Sequence, residues 1–310
     1  MQKVIDHVLQ HISQEAGKEQ TIQDEALDPS RFKPVESNDK TVAFIDGGNA
    51  ELLNGNTFSL QFIRVACVIL GGSKRVLRSE FYLFTSIGED MVFHSQAFPV
   101  NGDILLDTGH LDISLDDKTV SNGVREPTAS VIGSVARRFS ELALASSVQD
   151  DVDVVVLDGN LEKTFTNEDV YVERLGSNVC GLAKTSTMMT QQGGNVAALL
   201  SKQPGVWNYP VSVVEGVRTS FVRLNSHSKY VFMLQSRGQE DGSSLVSHSK
   251  DPLFLGYPYG LLFADQVARV SNQERILLLT TLQAKFKDNY AQVEGYLNTS
   301  SAHDILDRIS

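Results

Sequence analysis

Two aspartates carry the strongest chemical signal in the sequence. Asp46 closes the apolar run TVAFID and is followed by Gly47–Gly48; Asp158 closes DVDVVVLD and is followed by Gly159. Each is a carboxylate delivered by a strand-like run to an edge opened by glycine. Hard divalent ions such as Mg²⁺ and Mn²⁺ take oxygen ligands. Clustered carboxylates repel one another when no such ion is present. Two further acids are candidates to join the pair. Glu141 lies beside the apolar stripe of a predicted helix, and Asp265 sits in LLFADQVA, where an unpaired carboxylate is costly. Four converging carboxylates suit two ions about 4 Å apart. One activates water and the other stabilises the leaving oxygen of an in-line phosphodiester displacement.

Each residue also has a plainer reading. Asp46 and Asp158 fit Asp-Gly turns. Glu141 is spaced for helix-surface ion pairs with Arg137 and Arg138. Asp265 fits a solvent-facing helix edge, and Glu126, before a proline, is the alternative to Glu141. His7 and His11 are four apart but have no third ligand near in sequence. The acids Asp103, Asp107, Asp112, Asp116 and Asp117 do not match a calcium-loop spacing.

The elements that must position these residues follow from periodicity. Strands are expected at 41–46, 58–70 and 76–84, the last two joined by a hairpin at Gly71–Lys74. Residues 85–128 read as loop. A helix over 129–146 carries Val131, Ile132, Val135, Phe139 and Leu142 on one stripe, and a strand that is apolar except for Asp153 follows at 152–157. Further strands are expected within 168–186, 211–224 and 229–235. Helices are expected after 253, over 272–286 behind a Ser271/Glu274 capping box, and at the terminal AHDILDRI. Three strands, a helix crossover and a fourth strand predict a mixed sheet in which strands one and four adjoin. That arrangement would bring Asp46 and Asp158 to one edge.

Residues 1–16 form an amphipathic helix with Val4, Ile5, Val8, Leu9 and Ile12 on one face, and 17–40 read as a linker containing Pro29 and Pro34. Cys67 and Cys180 both lie in apolar runs, so reduced buried thiols are expected. The net charge of −11 argues against a generic basic nucleic-acid coat, although not against a locally basic channel. No run approaches the roughly 20 apolar residues of a membrane span, and the N-terminus lacks a leader-type apolar core. A cytoplasmic location without membrane association is the expectation.

From Thr41 onward the motifs resemble those of the NurA nucleases. FIDGG resembles the family's first motif and VVVLDGNL its second, with Asn160 where serine is usual. RRFSEL resembles the arginine-rich helix bearing the family's glutamate, GLAKTS a strand ending in a lysine, and YPYGLLFAD the late tyrosine motif. Some members carry histidine where this chain has Asp265. The resemblance implies an α/β, RNase H-like mixed sheet flanked by helices, with extra β-rich and N-terminal helical elements. It implies two domains, residues 1–40 as a contact helix with linker and residues 41–310 as the nuclease. It also implies a DNA 5′–3′ exonuclease, with possible single-strand endonuclease activity, acting in end resection with a HerA-like hexameric helicase as a homodimer. Its ligands for Mn²⁺ or Mg²⁺, two ions in all, would be Asp46, Glu141, Asp158 and Asp265. Tyr257 would orient water or a phosphate oxygen, Lys184 would bind the scissile phosphate, and Arg137, Arg138 and Arg218 would line the DNA path. The competing classes are a non-catalytic DNA clamp or helicase regulator, and an ATPase of the RNase H-like superfamily.

Overall fold

The computed structural model describes residues 2–17, 21–22, 25–55, 57–121, 127–191 and 193–300. Glu126 and the predicted terminal helix AHDILDRI lie outside them. In chain order the main elements are α1 (Gln2–Gly17), β1 (Val42–Asn54), β2 (Phe58–Leu70), β3 (Arg75–Ile87), β4 (Val92–Asn101), α2 (Val131–Val148), β5 (Val154–Asp158), β6 (Val179–Ala183), β7 (Trp207–Val214), β8 (Val217–Arg223), β9 (Phe232–Ser236), α3 (Tyr259–Ala268), α4 (Asn272–Phe286) and α5 (Tyr290–Ser300). Among the described residues no helix is long and apolar enough to cross a membrane.

The chain divides into two compact units, and the division falls inside β5, between Leu157 and Asp158. One unit comprises residues Thr41–Leu157, Glu162–Gly176 and Gly260–Ser310. Its sheet is an antiparallel meander, β1 to β4, with β5 added in parallel beside β1. This is the mixed sheet that the sequence order predicts. The β2–β3 hairpin turns through Gly71 and Gly72, both at positive φ (99° and 136°), a backbone region that disfavours side chains. Helix α2 lies on β1 and β2 and buries Ile132, Val135, Phe139 and Leu142, as its stripe requires. Contact is close at Gly133, where a Cβ would lie 1.8 Å from Gln61 Oε1. Gln61 uses that space to donate from Nε2 to Ser130 O (2.6 Å).

The other unit comprises residues Met1–Lys40, Asp158–Leu161 and Ser177–Tyr259. Its strands run antiparallel in the order β6-β9-β8-β7, closed by the short strand Lys33–Pro34. Trp207, Tyr209, Phe221 and Met233 pack with Ile22, Val196 and Leu200 beneath it. Phe32 stands edge-on to Trp207 at 4.8 Å between ring centroids.

Three expectations are corrected. The stretch 85–128 contains β4, paired to β3 from Glu80↔Asn101 to Ile87↔Phe93. Its polar residues and Pro99 hid it; proline is tolerated there because only Val92 and Phe93 meet a further strand. Within 168–186 only β6 is a strand, and Asp169–Val172 is a helical turn. The Glu168 carboxylate instead orders the segment before that turn, accepting the N–H groups of Thr164 (2.7 Å) and Phe165 (3.0 Å). The predicted single strand at 211–224 is a hairpin that reverses at Glu215–Gly216, both at positive φ. Cys67 and Cys180 are free and buried as expected. Burial pushes the Cys67 thiol up to about 12, and that of Cys180 well above its ordinary value.

Candidate active-site carboxylates

Asp46 does not end its strand. β1 continues to Asn54, with Gly47 opposite Val65 and Gly48 opposite Arg64. What ends near Asp46 is the parallel pairing with β5, whose last pair is Ile45↔Leu157. Asp46 and Asp158 are each the next residue in sequence after that pair. The two glycines therefore serve close approach and not a turn. A Cβ on Gly47 would lie 2.5 Å from Glu141 Oε1, and one on Gly48 would lie 2.5 Å from Ala268 O. The paired glycines in the sequence were thus a signal that Glu141 and the end of α3 approach this strand.

In the β1–β5 unit, Asp46 is buried and accepts the Gly47 N–H at Oδ1 (2.7 Å). Glu141, on the sheet-facing side of α2, is 3 % exposed. Arg137 Nη1 donates to Glu141 Oε1 (2.8 Å) and to Gly47 O (3.2 Å). The helix-spaced pair weighed against the ligand reading therefore exists, with Glu141 buried against β1 and Arg137 partly exposed. Arg138 turns away from it. Its Nε donates to Glu168 Oε1 (2.8 Å), and both groups are buried, so its guanidinium fastens α2 to the Glu168 turn. Asp265 lies in α3 and pairs with Arg269 Nη2 at 2.5 Å, one helical turn on. A buried cluster fixes the α3–α4 junction that follows. Arg64 donates to Glu80 Oε1 (2.6 Å), to Arg269 O (3.1 Å) and to both oxygens of Glu274.

In the other unit, Asp158, Lys184 and Tyr257 come together although they are distant in sequence. Lys184 Nζ lies 2.5 Å from Asp158 Oδ2, and Tyr257 donates its hydroxyl to Asp158 Oδ1 (3.0 Å) and to Leu182 O (3.2 Å). The Tyr257 ring is buried and edge-on to Phe232, which fixes the hydroxyl. Lys184 is half exposed and lies 5.1 Å from the centre of the tyrosine ring. Gly159, at φ 121°, turns the chain directly after Asp158, and its N–H bonds Leu182 O (3.1 Å). Tyr257 precedes α3, which begins at Tyr259. Arg218 lies in β8.

The donor set is all carboxylate oxygen, which suits Mg²⁺ or Mn²⁺. Glu141, Asp158 and Asp265 each lie against a cationic side chain, the position from which a divalent ion would neutralise them. Among the described residues, no three His, Cys, Asp or Glu side chains gather closely enough to hold an ion by themselves. A divalent ion would therefore compete with Lys184, Arg137 and Arg269 for these carboxylates.

A mixed sheet with a helix crossover, flanked by helices, places the chain in the mixed-sheet α/β class. Within that class the structure is similar to the NurA nuclease from Sulfolobus solfataricus, with a TM-score of 0.57 over 93 % of this chain and 95 % of that one. At 14 % identity this is a likeness of fold. The Endonuclease V of Bacillus subtilis matches at a TM-score of 0.39 and 15 % identity, over 83 % of this chain and 89 % of its own. The catalytic domain of human Endonuclease V matches at 0.38 and 11 %, over 86 % and 95 %. No protein-family model matches the sequence, and no curated protein does.

Proposed function

We propose that this chain is a metal-dependent DNA nuclease of the NurA type that hydrolyses phosphodiester bonds. The observation that carries the reading is the parallel register of β1 and β5, whose last pair, Ile45↔Leu157, is formed by the residues that directly precede the two aspartates in sequence. The shared fold and the quoted motifs support it. Asp46, Glu141, Asp158 and Asp265 are the proposed ligands of two Mn²⁺ or Mg²⁺ ions. Such ions, when bound, supply an activated water and charge stabilisation for the leaving oxygen.

The chain's own residues do the rest. Tyr257 holds the Asp158 carboxylate in one orientation through its hydroxyl. Lys184, half exposed beside that carboxylate, is positioned to take a phosphate oxygen as a point charge. Arg137 braces Glu141 against the Gly47 carbonyl. Arg138, engaged with Glu168, is assigned to the packing of α2. The 5′–3′ polarity, the role in end resection and the HerA-like partner belong to the same proposal.

The test is cleavage of end-labelled single- and double-stranded DNA with Mn²⁺ or EDTA, beside Asp46→Ala. We expect cleavage that needs the ion and is lost in the variant. No cleavage with any divalent ion, even with a HerA-like helicase present, would point to a non-catalytic clamp. ATP turnover would point to the ATPase class.

Helix α1 leaves Val4, Ile5, Val8 and Leu9 exposed. We propose that this stripe contacts a second copy of the chain or the helicase. Removing residues 1–16 should lower the mass in solution or abolish helicase binding. If both stay as in the full chain, the helix has another role.

A further inference from the structure

The unit that holds Asp158, Lys184 and Tyr257 contains two adjoining clefts that the carboxylate site does not use. One, of about 280 Å³, opens between the loop Asn225–Tyr230 and the segment Pro252–Leu255. The second, of about 290 Å³, shares Asn225 and His227 with it and adds Lys250. No acidic residue lines either cleft, in a chain whose net charge is −11. The side chains that face them include His227, Lys229 and Lys250, together with the 53 % exposed ring of Tyr230. Asp251, the acid next in sequence, has its carboxylate on the Leu253 N–H (2.9 Å).

The walls are held firmly. Arg223, buried beneath the loop, donates to the carbonyls of Gln203 (2.5 Å), Asn225 (3.4 Å) and Ser226 (2.9 Å). Asn225 donates to Ser249 O (2.8 Å) and accepts the His227 N–H (2.8 Å). Ser228 hydroxyl donates to Leu255 O, which ties the loop to the opposite wall. Leu255 itself is held at φ 56°, in the left-handed region that leucine disfavours, followed by Gly256 at φ 84°. A side chain at Gly256 would press on Asn225 and Ser228, each 3.1 Å from its Cβ. Much of the loop's backbone is therefore engaged within the protein, while Lys229 and Tyr230 are exposed.

An open aromatic face beside ammonium groups, on a scaffold that needs no rearrangement, is how proteins hold unpaired nucleotides. The ring stacks on a base and the cations follow the phosphates. Leu255 is two residues from Tyr257, a backbone distance of at most about 7 Å. Tyr257 in turn bonds Asp158. We infer that the cleft between Tyr230 and Leu255 binds one nucleotide of a single-stranded DNA, with Tyr230 stacking on its base and Lys229 on its phosphate. It thereby positions the strand relative to Asp158. The choice of DNA as ligand rests on the nuclease reading.

The test is fluorescence anisotropy of labelled oligo-dT with the full chain in Ca²⁺, over a range of salt. Tyr230→Ala should raise Kd about 10-fold, and Tyr230→Phe should stay within about 2-fold, as stacking on an aromatic face requires. Lys229→Ala should flatten the slope of log Kd against log salt by about 0.7, the value for one phosphate contact on a single strand. Tyr230→Ala should leave that slope unchanged. Both residues are exposed, so the melting temperature should not move and serves as the folding control. If the wild-type chain cleaves DNA while both alanine variants bind like it, the cleft assignment is wrong and the nuclease reading stands. If the wild type neither binds nor cleaves DNA, both fall. Capture of an acidic peptide in preference to oligo-dT, lost in Tyr230→Ala, would reassign the cleft to a protein partner.

Discussion

On the proposed nuclease function, Asp158→Asn should lower DNA cleavage by roughly 10³-fold while leaving the protein folded. A carboxylate that helps hold a charge-stabilising ion contributes several kcal/mol to the transition state, and each 1.36 kcal/mol or so is about tenfold in rate. The structural cost of the change is small by comparison. The amide that replaces the carboxylate keeps an oxygen to accept the Tyr257 hydroxyl, which bonds Oδ1 at 3.0 Å in the parent. The lost ion pair with Lys184 is half exposed, and such pairs contribute at most about 1 kcal/mol. The discriminating measurement is kcat beside the melting temperature. A large loss of rate at constant stability assigns Asp158 to the chemistry. Cleavage within about threefold of the parent would mean that the Asp158–Lys184–Tyr257 group is structural. Tyr257→Phe provides a graded companion. It keeps the ring packed on Phe232 but removes the hydroxyl that orients the carboxylate.

Arg64→Met should destabilise the β1–β5 unit by about 3–5 kcal/mol, because it leaves a buried charge without its partner. Glu80 is 6 % exposed and receives the Arg64 Nε hydrogen bond at 2.6 Å. Arg78, 3.5 Å away, is too exposed to replace it fully. The same guanidinium holds Glu274 at the start of α4 and the Arg269 carbonyl at the end of α3. The substitution should therefore loosen the junction that follows Asp265. Urea unfolding measures the loss. Arg64→Met with Glu80→Met should recover most of it, since an apolar replacement of both partners removes the unpaired charge. A single variant within about 1 kcal/mol of the parent would sink the idea that this cluster is essential.

The same cluster gives a pH dependence with a definite sign. The hydrogen bond from Arg64 holds the Glu274 carboxyl below its ordinary value near 4.5. A depressed folded-state value means that the contribution is present above that ordinary value. It is lost as pH falls through the lower, folded one. Acid unfolding of Arg64→Met should accordingly be less steep below about pH 4.5 than that of the parent.

The sequence by itself determined the local elements and the strand-borne acids. Continuous apolar strand runs, the stripe on α2 and the Ser271 cap, whose hydroxyl accepts the Glu274 N–H at 3.1 Å, are all short-range patterns. So is the order of three strands, a helix and a fourth strand, from which the parallel placement of β5 beside β1 follows. The partners of each charge were not legible, because register and packing decide them over long separations. Glu274 reads as the second half of a capping box, yet its carboxylate goes to Arg64, which is 210 residues away in sequence. Arg137 and Arg138 look interchangeable in the sequence. One helical step of about 100° sends the first to Glu141 and the second to Glu168. Lys184 and Tyr257 reach Asp158 only because β6 and the chain before α3 are folded beside it. Gly47 and Gly48 read as a turn, and only the approach of Glu141 and the Ala268 carbonyl shows why side chains are excluded there.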